Sequence, residues 1–184
     1  MPYVFILIII VIILLLWVAI AYNSFVQKRN LVKEAWSGID VQLKRRYDLI
    51  PNLISTVKGY ASHEKQLFED IASYRSLSMK ADTVKEKGEA ESQLAGTLKT
   101  LFAVAEAYPD LKANQNFLEL QKSLSSIEDA LQLARRYYNG SVRDFNTMIE
   151  TFPNVMISGP FGFKKYDFFE LEDAIERKAP EVKF

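Results

Sequence analysis

For its first stretch the chain shows no alternation of apolar and polar positions at all. Tyr3 through Tyr22 is a run of about 20 residues without a charge, dominated by Ile, Leu and Val. At ~1.5 Å rise per residue such a helix spans roughly 30 Å, the thickness of a bilayer's hydrocarbon core. Tyr3 stands at one end of the run and Trp17 and Tyr22 near the other, where amphipathic rings prefer the headgroup level. These three are the candidate membrane-anchor residues. A cleaved signal peptide would want a basic start, a shorter apolar centre and a small-residue cleavage site; nothing basic precedes the run, and its centre is too long. A soluble core helix is rarely apolar on every face for so many turns. One single-pass transmembrane helix is predicted, with the lipid bilayer as its partner.

Beyond the run, apolar residues return at helical spacing. Leu31, Ala35, Ile39, Leu43 and Ile50 share a stripe, and no strong breaker precedes Pro51. The anchor helix is therefore expected to continue into the following domain, with a kink or break at Ile50-Pro51-Asn52. A second helix is expected over Leu53–Met79, with Val57, Tyr60, Ala61, Leu67, Phe68, Ile71 and Tyr74 inward. The charged stretch Lys80–Glu91, with Gly88, reads as a turn. A third helix is expected over Ser92–Tyr108, ended by Pro109-Asp110 unless the proline opens a new first turn. The fourth is the longest. From Phe117 through Leu124, Ile127, Leu131, Tyr138 and Phe145 to Phe152, apolar positions step by threes and fours, a heptad-like coiled-coil seam. Amphipathic helices of this kind bury their stripes against one another, so the predicted fold class is all-α: a transmembrane helix continuing into an antiparallel bundle of about four helices.

After Phe152-Pro153 the pattern changes to an aromatic, extended arm. The predicted organisation is an anchor at 1–25, a bundle at 26–152, and an arm at 153–184 that closes with a short acidic segment, Glu170–Arg177.

Charge and composition narrow the classes further. The 23 basic residues balance the 23 acidic ones, which argues against a nucleic-acid binder. With no cysteine, disulfides, thiolate nucleophiles and cysteine-held metals are excluded. Lys28, Arg29 and Lys33 follow the span and nothing basic precedes it, so the positive-inside rule keeps the C-terminal domain in the cytoplasm, with the N-terminus outside. An extracytoplasmic domain is the alternative.

Candidate chemistry is sparse. His63 is the lone histidine, and no second one sits four residues on, so the zinc-helix spacing fails at its first requirement. No Gly-rich phosphate loop and no nucleophile beside a base is visible; catalytic, cofactor and metal sites are expected to be absent. Charged residues near the seams are more informative. Arg46, Glu64, Arg75, Glu106, Glu128 and Arg135 have two readings: charges at the bundle's edge, or buried interhelical ion pairs that fix register. The arm residues Phe161, Phe163, Tyr166, Phe168 and Phe169 also have two. They cover the bundle's own open end, or they contact a neighbour, a partner or the membrane surface together with Lys164 and Lys165. Asn139-Gly140-Ser141 matches a glycosylation acceptor but falls inside the fourth helix pattern, which argues for coincidence.

Several stretches together resemble the bacterial LemA family. They are Tyr22-Asn23, Glu34-Ala35-Trp36, Ile39 to Arg46, Asp48 to Leu53, Val57 to Glu64, Glu106 to Asn114, Ala134 to Asn139, Phe145-Asn146 and Phe152-Pro153. The resemblance runs in order over nearly the whole chain. It implies a membrane-anchored antiparallel bundle in a bacterial envelope, and it implies no activity, since the family has no established catalytic role. Some chains of this kind carry a lipoprotein-type cysteine just before the Tyr-Asn pair; this one does not. The expected function is a non-enzymatic interaction or scaffold protein that self-associates and meets other envelope membrane proteins. A regulatory or adaptor subunit of a membrane protease or signalling complex is the alternative. A hydrolase working through carboxylates is a third reading, which metal analysis would separate from both.

Overall fold

A computed structural model describes residues 2–170. Among these the structure is helical without strands: α1 (Pro2–Lys58), α2 (Lys65–Lys80), α3 (Val84–Ala105), α4 (Pro109–Lys112), α5 (Gln115–Glu150) and α6 (Val155–Ser158). Helix α1 is long and apolar enough in its first part to cross a membrane, and the side chains of residues 3–16 are exposed along it. The described chain divides into two compact units. One is drawn from within Met1–Ile39 and Ala134–Asp167, the other from within Asp40–Leu133 and Phe168–Phe184.

In the first unit α1 and α5 run antiparallel. Phe25 meets Phe145, Lys28 meets Asp144 and Trp36 meets Tyr138, so positions rise along α1 as they fall along α5. Val32, Ala35 and Ile39 of α1 and Tyr138, Val142, Phe145 and Ile149 of α5 fill the core. The spacing of three and four in both sets is what keeps each stripe on one face.

The second unit holds the rest of α1 and of α5 with α2, α3 and α4. Helices α2 and α3 form a hairpin closed by residues 81–83. Its turn is set by a capping box: Glu86 N donates to Thr83 Oγ1, and Thr83 N donates to the Glu86 carboxylate. That device starts α3 at Val84, so most of the stretch expected as a charged turn is helix. Pro109 occupies the first turn of α4, where its missing amide costs nothing.

Pro51 does not break α1. A proline in a helix removes the donor to the carbonyl four residues back, here Tyr47 O. Arg75 Nε of α2 donates to Tyr47 O at 2.9 Å and satisfies that carbonyl from outside the helix. Helix α1 then runs on to Lys58, and the second expected helix divides at residues 59–64. His63 is exposed in that turn.

The arm is partly ordered as helix: α6 follows the end of α5, with Ser158 Oγ donating to Ile149 O. Phe152, expected on the seam, is 80% exposed because α5 ends at Glu150. Beyond Gly162, whose φ of +71° suits glycine, the chain is extended to Glu170. Residues 171–177 of the expected acidic segment lie outside the described residues.

Candidate functional site

The second unit contains a buried polar cluster built on three helices. Arg46 of α1 and Glu91 of α3 are each 1% exposed, and Arg46 Nη1 donates to Glu91 Oε2 at 2.8 Å. Tyr47 Oη and Ser78 Oγ, from α1 and α2, both donate to Glu91 Oε1 and lie 2.6 Å from each other. Arg46 Nε sits 3.0 Å from Glu128 Oε1 of α5, close enough to pair although not aligned as a hydrogen bond. Arg46 Nη2 is buried with no acceptor among the described residues.

The cluster is fixed by helical register. Arg46 lies three residues after Leu43 and four before Ile50, so it stands on the buried stripe of α1. Glu91 stands three residues before Leu94 and seven before Leu98 on the stripe of α3. A carboxylate there would be costly without partners, and it has three donors. Burial, and then the adjacent Glu91 charge, push the Tyr47 phenol well above its usual range, so it remains a proton donor. Chemically the cluster is a buried ion pair whose carboxylate is fully engaged, while Arg46 Nη2 is left without an acceptor among the described residues. Glu91 lines none of three surface hollows of the second unit, which face Tyr74 and Glu86, Pro51 and Arg75, and Arg45 and Lys122. Among the described residues no group of three or more His, Asp or Glu is placed to hold a metal ion.

The first unit has an aromatic cluster instead. Phe163 stacks on Phe25 at 4.6 Å and meets Phe145 edge-on at 6.4 Å, while Arg29 lies over its ring at 5.6 Å. The chain around it is held by side chains of α5. Asn146 Nδ2 donates to Tyr166 O at 2.9 Å, Tyr166 N donates to Asn146 Oδ1 at 3.0 Å, and Tyr138 Oη donates to Asp167 O at 2.9 Å. Burial, helped by Asp167 and Tyr166 nearby, pushes the Tyr138 phenol up to about 12.

The charged candidates fall in several places. Arg46 and Glu128 are brought together, and Arg75 serves the Tyr47 carbonyl. Glu106 pairs with Lys112 at the surface, Glu64 is half-buried in the turn before α2, and Arg135 is half-buried on α5 within the first unit. Of the anchor residues, Tyr3 is exposed, Trp17 half-buried, and Tyr22 packs its ring 5.2 Å from Phe161 and 5.8 Å from Phe163. Along the arm Phe163 and Phe169 are buried, Tyr166 is half-buried, and Phe161 and Phe168 are exposed. In the second unit the arm passes so close to α3 that a Cβ on Gly88 would lie 2.5 Å from Glu170 O. Tyr47, Ser78 and Glu91 were not among the sequence candidates. The signal for Glu91 was its spacing to Leu94 and Leu98, readable once Thr83 and Glu86 are taken as a capping box.

A helix that opens as a charge-free apolar run and continues unbroken into antiparallel helical packing is that of a membrane-anchored helical-bundle protein. The LemA family model matches residues 35–184, and the chain belongs to the LemA family. It is 30% identical over 131 residues to Protein LemA of Metamycoplasma hominis, covering 71% of this chain and 60% of that protein. It is 24% identical over 179 residues to Magnetosome protein MamQ of Magnetospirillum gryphiswaldense, covering 83% of this chain and 66% of the relative. Magnetosome protein MamQ 2 of Paramagnetospirillum magneticum matches to the same extent. The chain thus spans 60–66% of the length of these curated relatives.

Proposed function

We propose that this chain is a non-enzymatic, membrane-anchored interaction protein of the bacterial envelope, one that self-associates and presents its helical surface to other envelope proteins. The observation that carries the reading is the continuity of α1, which joins a charge-free, lipid-suited run to a helical core without a break. The buried polar cluster supports it, because the Glu91 carboxylate is occupied by Arg46, Tyr47 and Ser78 and lines none of the three hollows. Self-association draws on apolar side chains left outside, such as Leu77, Met79, Leu118 and Leu133. On this reading the anchor lies in the inner membrane, with Lys28, Arg29 and Lys33 holding the following residues on the cytoplasmic side.

Light scattering on the full chain in mild detergent tests the association: particles of more than one copy are expected, and a strictly monomeric species overturns it. Phe168, exposed next to the buried Phe169, favours the second reading, an adaptor for another membrane complex. Removing the whole arm would take Phe163 from its core, so the cleaner variant is Phe168→Ser in pull-downs from membranes. An unchanged set of captured proteins removes that ring from consideration.

A further inference from the structure

We infer that the turn joining α5 to the arm, residues 152–161, is a second membrane-contact element that inserts into the headgroup region of the bilayer crossed by α1. Within the first unit, the register of α1 and α5 pairs Phe25 with Phe145. One further turn and a half along the antiparallel pair carries the end of α5, Glu150, to about residue 20 of α1, inside the apolar run. Two observations agree with that level. The run is exposed through residue 16, but Trp17 and Val18 are half-buried and Ala21 is buried, so cover begins before the run has ended. Phe161 also lies against Tyr22, the last residue of the run.

The side chains at this level suit lipid. Phe152, Val155, Met156 and Phe161 are 80%, 47%, 64% and 51% exposed on one short turn. That turn is closed on itself by Val155 N to Thr151 O and by Phe161 N to Ile157 O, and fastened to α5 through Ser158. Lys164 follows, exposed, where an ammonium would reach phosphate oxygens. Because α1 fixes this turn at the end of its own span, the bilayer is the occupant that is always present. Interfacial elements of this type bury their apolar face about 5–10 Å into the headgroup and acyl boundary.

The inference rests on α1 being a membrane span, and the test separates the two. The chain has no cysteine, so single-cysteine variants of the full protein carry an environment-sensitive fluorophore at one place each. Met156→Cys reports on the turn, Leu14→Cys on the span, and Arg136→Cys on an exposed part of α5. In vesicles of zwitterionic and anionic phospholipid, label 156 is expected to be blue-shifted, protected from iodide and strongly quenched by lipid spin-labelled near the headgroup. Label 14 is expected to be quenched by deeply labelled lipid, and label 136 only by iodide. If 14 behaves so while 156 responds like 136, the turn is in water and the inference falls alone. A label at 156 that is blue-shifted but insensitive to spin-labelled lipid is covered by protein, a second copy included, and overturns it equally. If label 14 is open to iodide, the membrane reading fails with it.

Discussion

The two units of this chain are closed by opposite means. In the first, the inward face of α1 meets rings: Phe25, Phe145 and Phe163 pack within about 6 Å of one another, and polar atoms serve to hold backbone at the edge. In the second, the same helix, a few turns on, turns a guanidinium into the core and meets a carboxylate. The first arrangement gains by burial and tolerates imprecise geometry. The second gains little net energy, since removing both charges from water offsets much of their attraction, but it is intolerant of a missing partner. A helix that serves both units thus carries a forgiving contact near its membrane end and an exacting one further along. Only one sliding position of α1 against α3 places Arg46 on Glu91.

The largest effect should come from breaking that pair on one side only. Glu91→Ala leaves a buried guanidinium whose remaining partner, Glu128, is itself partly exposed. A loss of about 3–5 kcal/mol in unfolding free energy is expected from urea titration of the full chain in detergent. Replacing the set together, Arg46→Met, Tyr47→Phe, Ser78→Ala and Glu91→Leu, should restore most of the loss, since no unpaired charge remains in the core and Glu128, which loses Arg46, is open to water. A combined variant as unstable as Glu91→Ala would show that the cluster is itself the source of stability.

In the aromatic unit, Phe163→Ala should cost about 3 kcal/mol, from lost burial and the cavity left between Phe25 and Phe145. Phe163→Leu should recover most of it, because the contact asks for volume more than geometry. Equal costs for the two variants would make this unit as exacting as the other and erase the contrast.

Pro51 shows where the sequence was and was not legible. The apolar stripes of α1, α3 and α5 are evident from spacing alone, and so is the lipid-suited run, because both depend on which residues lie near one another along the chain. Of the kink or break expected at Pro51, the break did not occur, and its remedy, Arg75, was not legible because it is 24 residues away and meaningful only once α2 lies against α1. Glu91 was hidden for a related reason: it reads as surface charge until its donors Arg46, Tyr47 and Ser78 arrive from other helices. Arg75→Met tests this directly. It should cost about 1–3 kcal/mol by leaving Tyr47 O without a donor inside the helix pair. In the background of Pro51→Ala, which restores the amide, the same change should cost much less. An undiminished cost would mean that Arg75 acts through something other than the carbonyl.

The smallest effect separates the two buried tyrosines. Tyr138 sits in the aromatic unit with its phenol pushed up to about 12, chiefly by burial, and Tyr47 sits in the charged unit, pushed higher by burial and Glu91. A folded-state value above the free phenol's 10 means that the native state keeps its proton while the unfolded chain releases it. That contribution is complete below pH 10 and is lost as pH rises from there toward 12. Tyr138→Phe should remove about 1 kcal/mol at neutral pH, the worth of its bond to Asp167 O, and should also flatten the decline in stability above pH 10. The decline that persists in this variant belongs to Tyr47 and should shrink further in Tyr138→Phe/Tyr47→Phe. If Tyr138→Phe leaves the alkaline limb unchanged, the phenol is already ionising as it does in water, and the arm that supplies Asp167 is not closed over it.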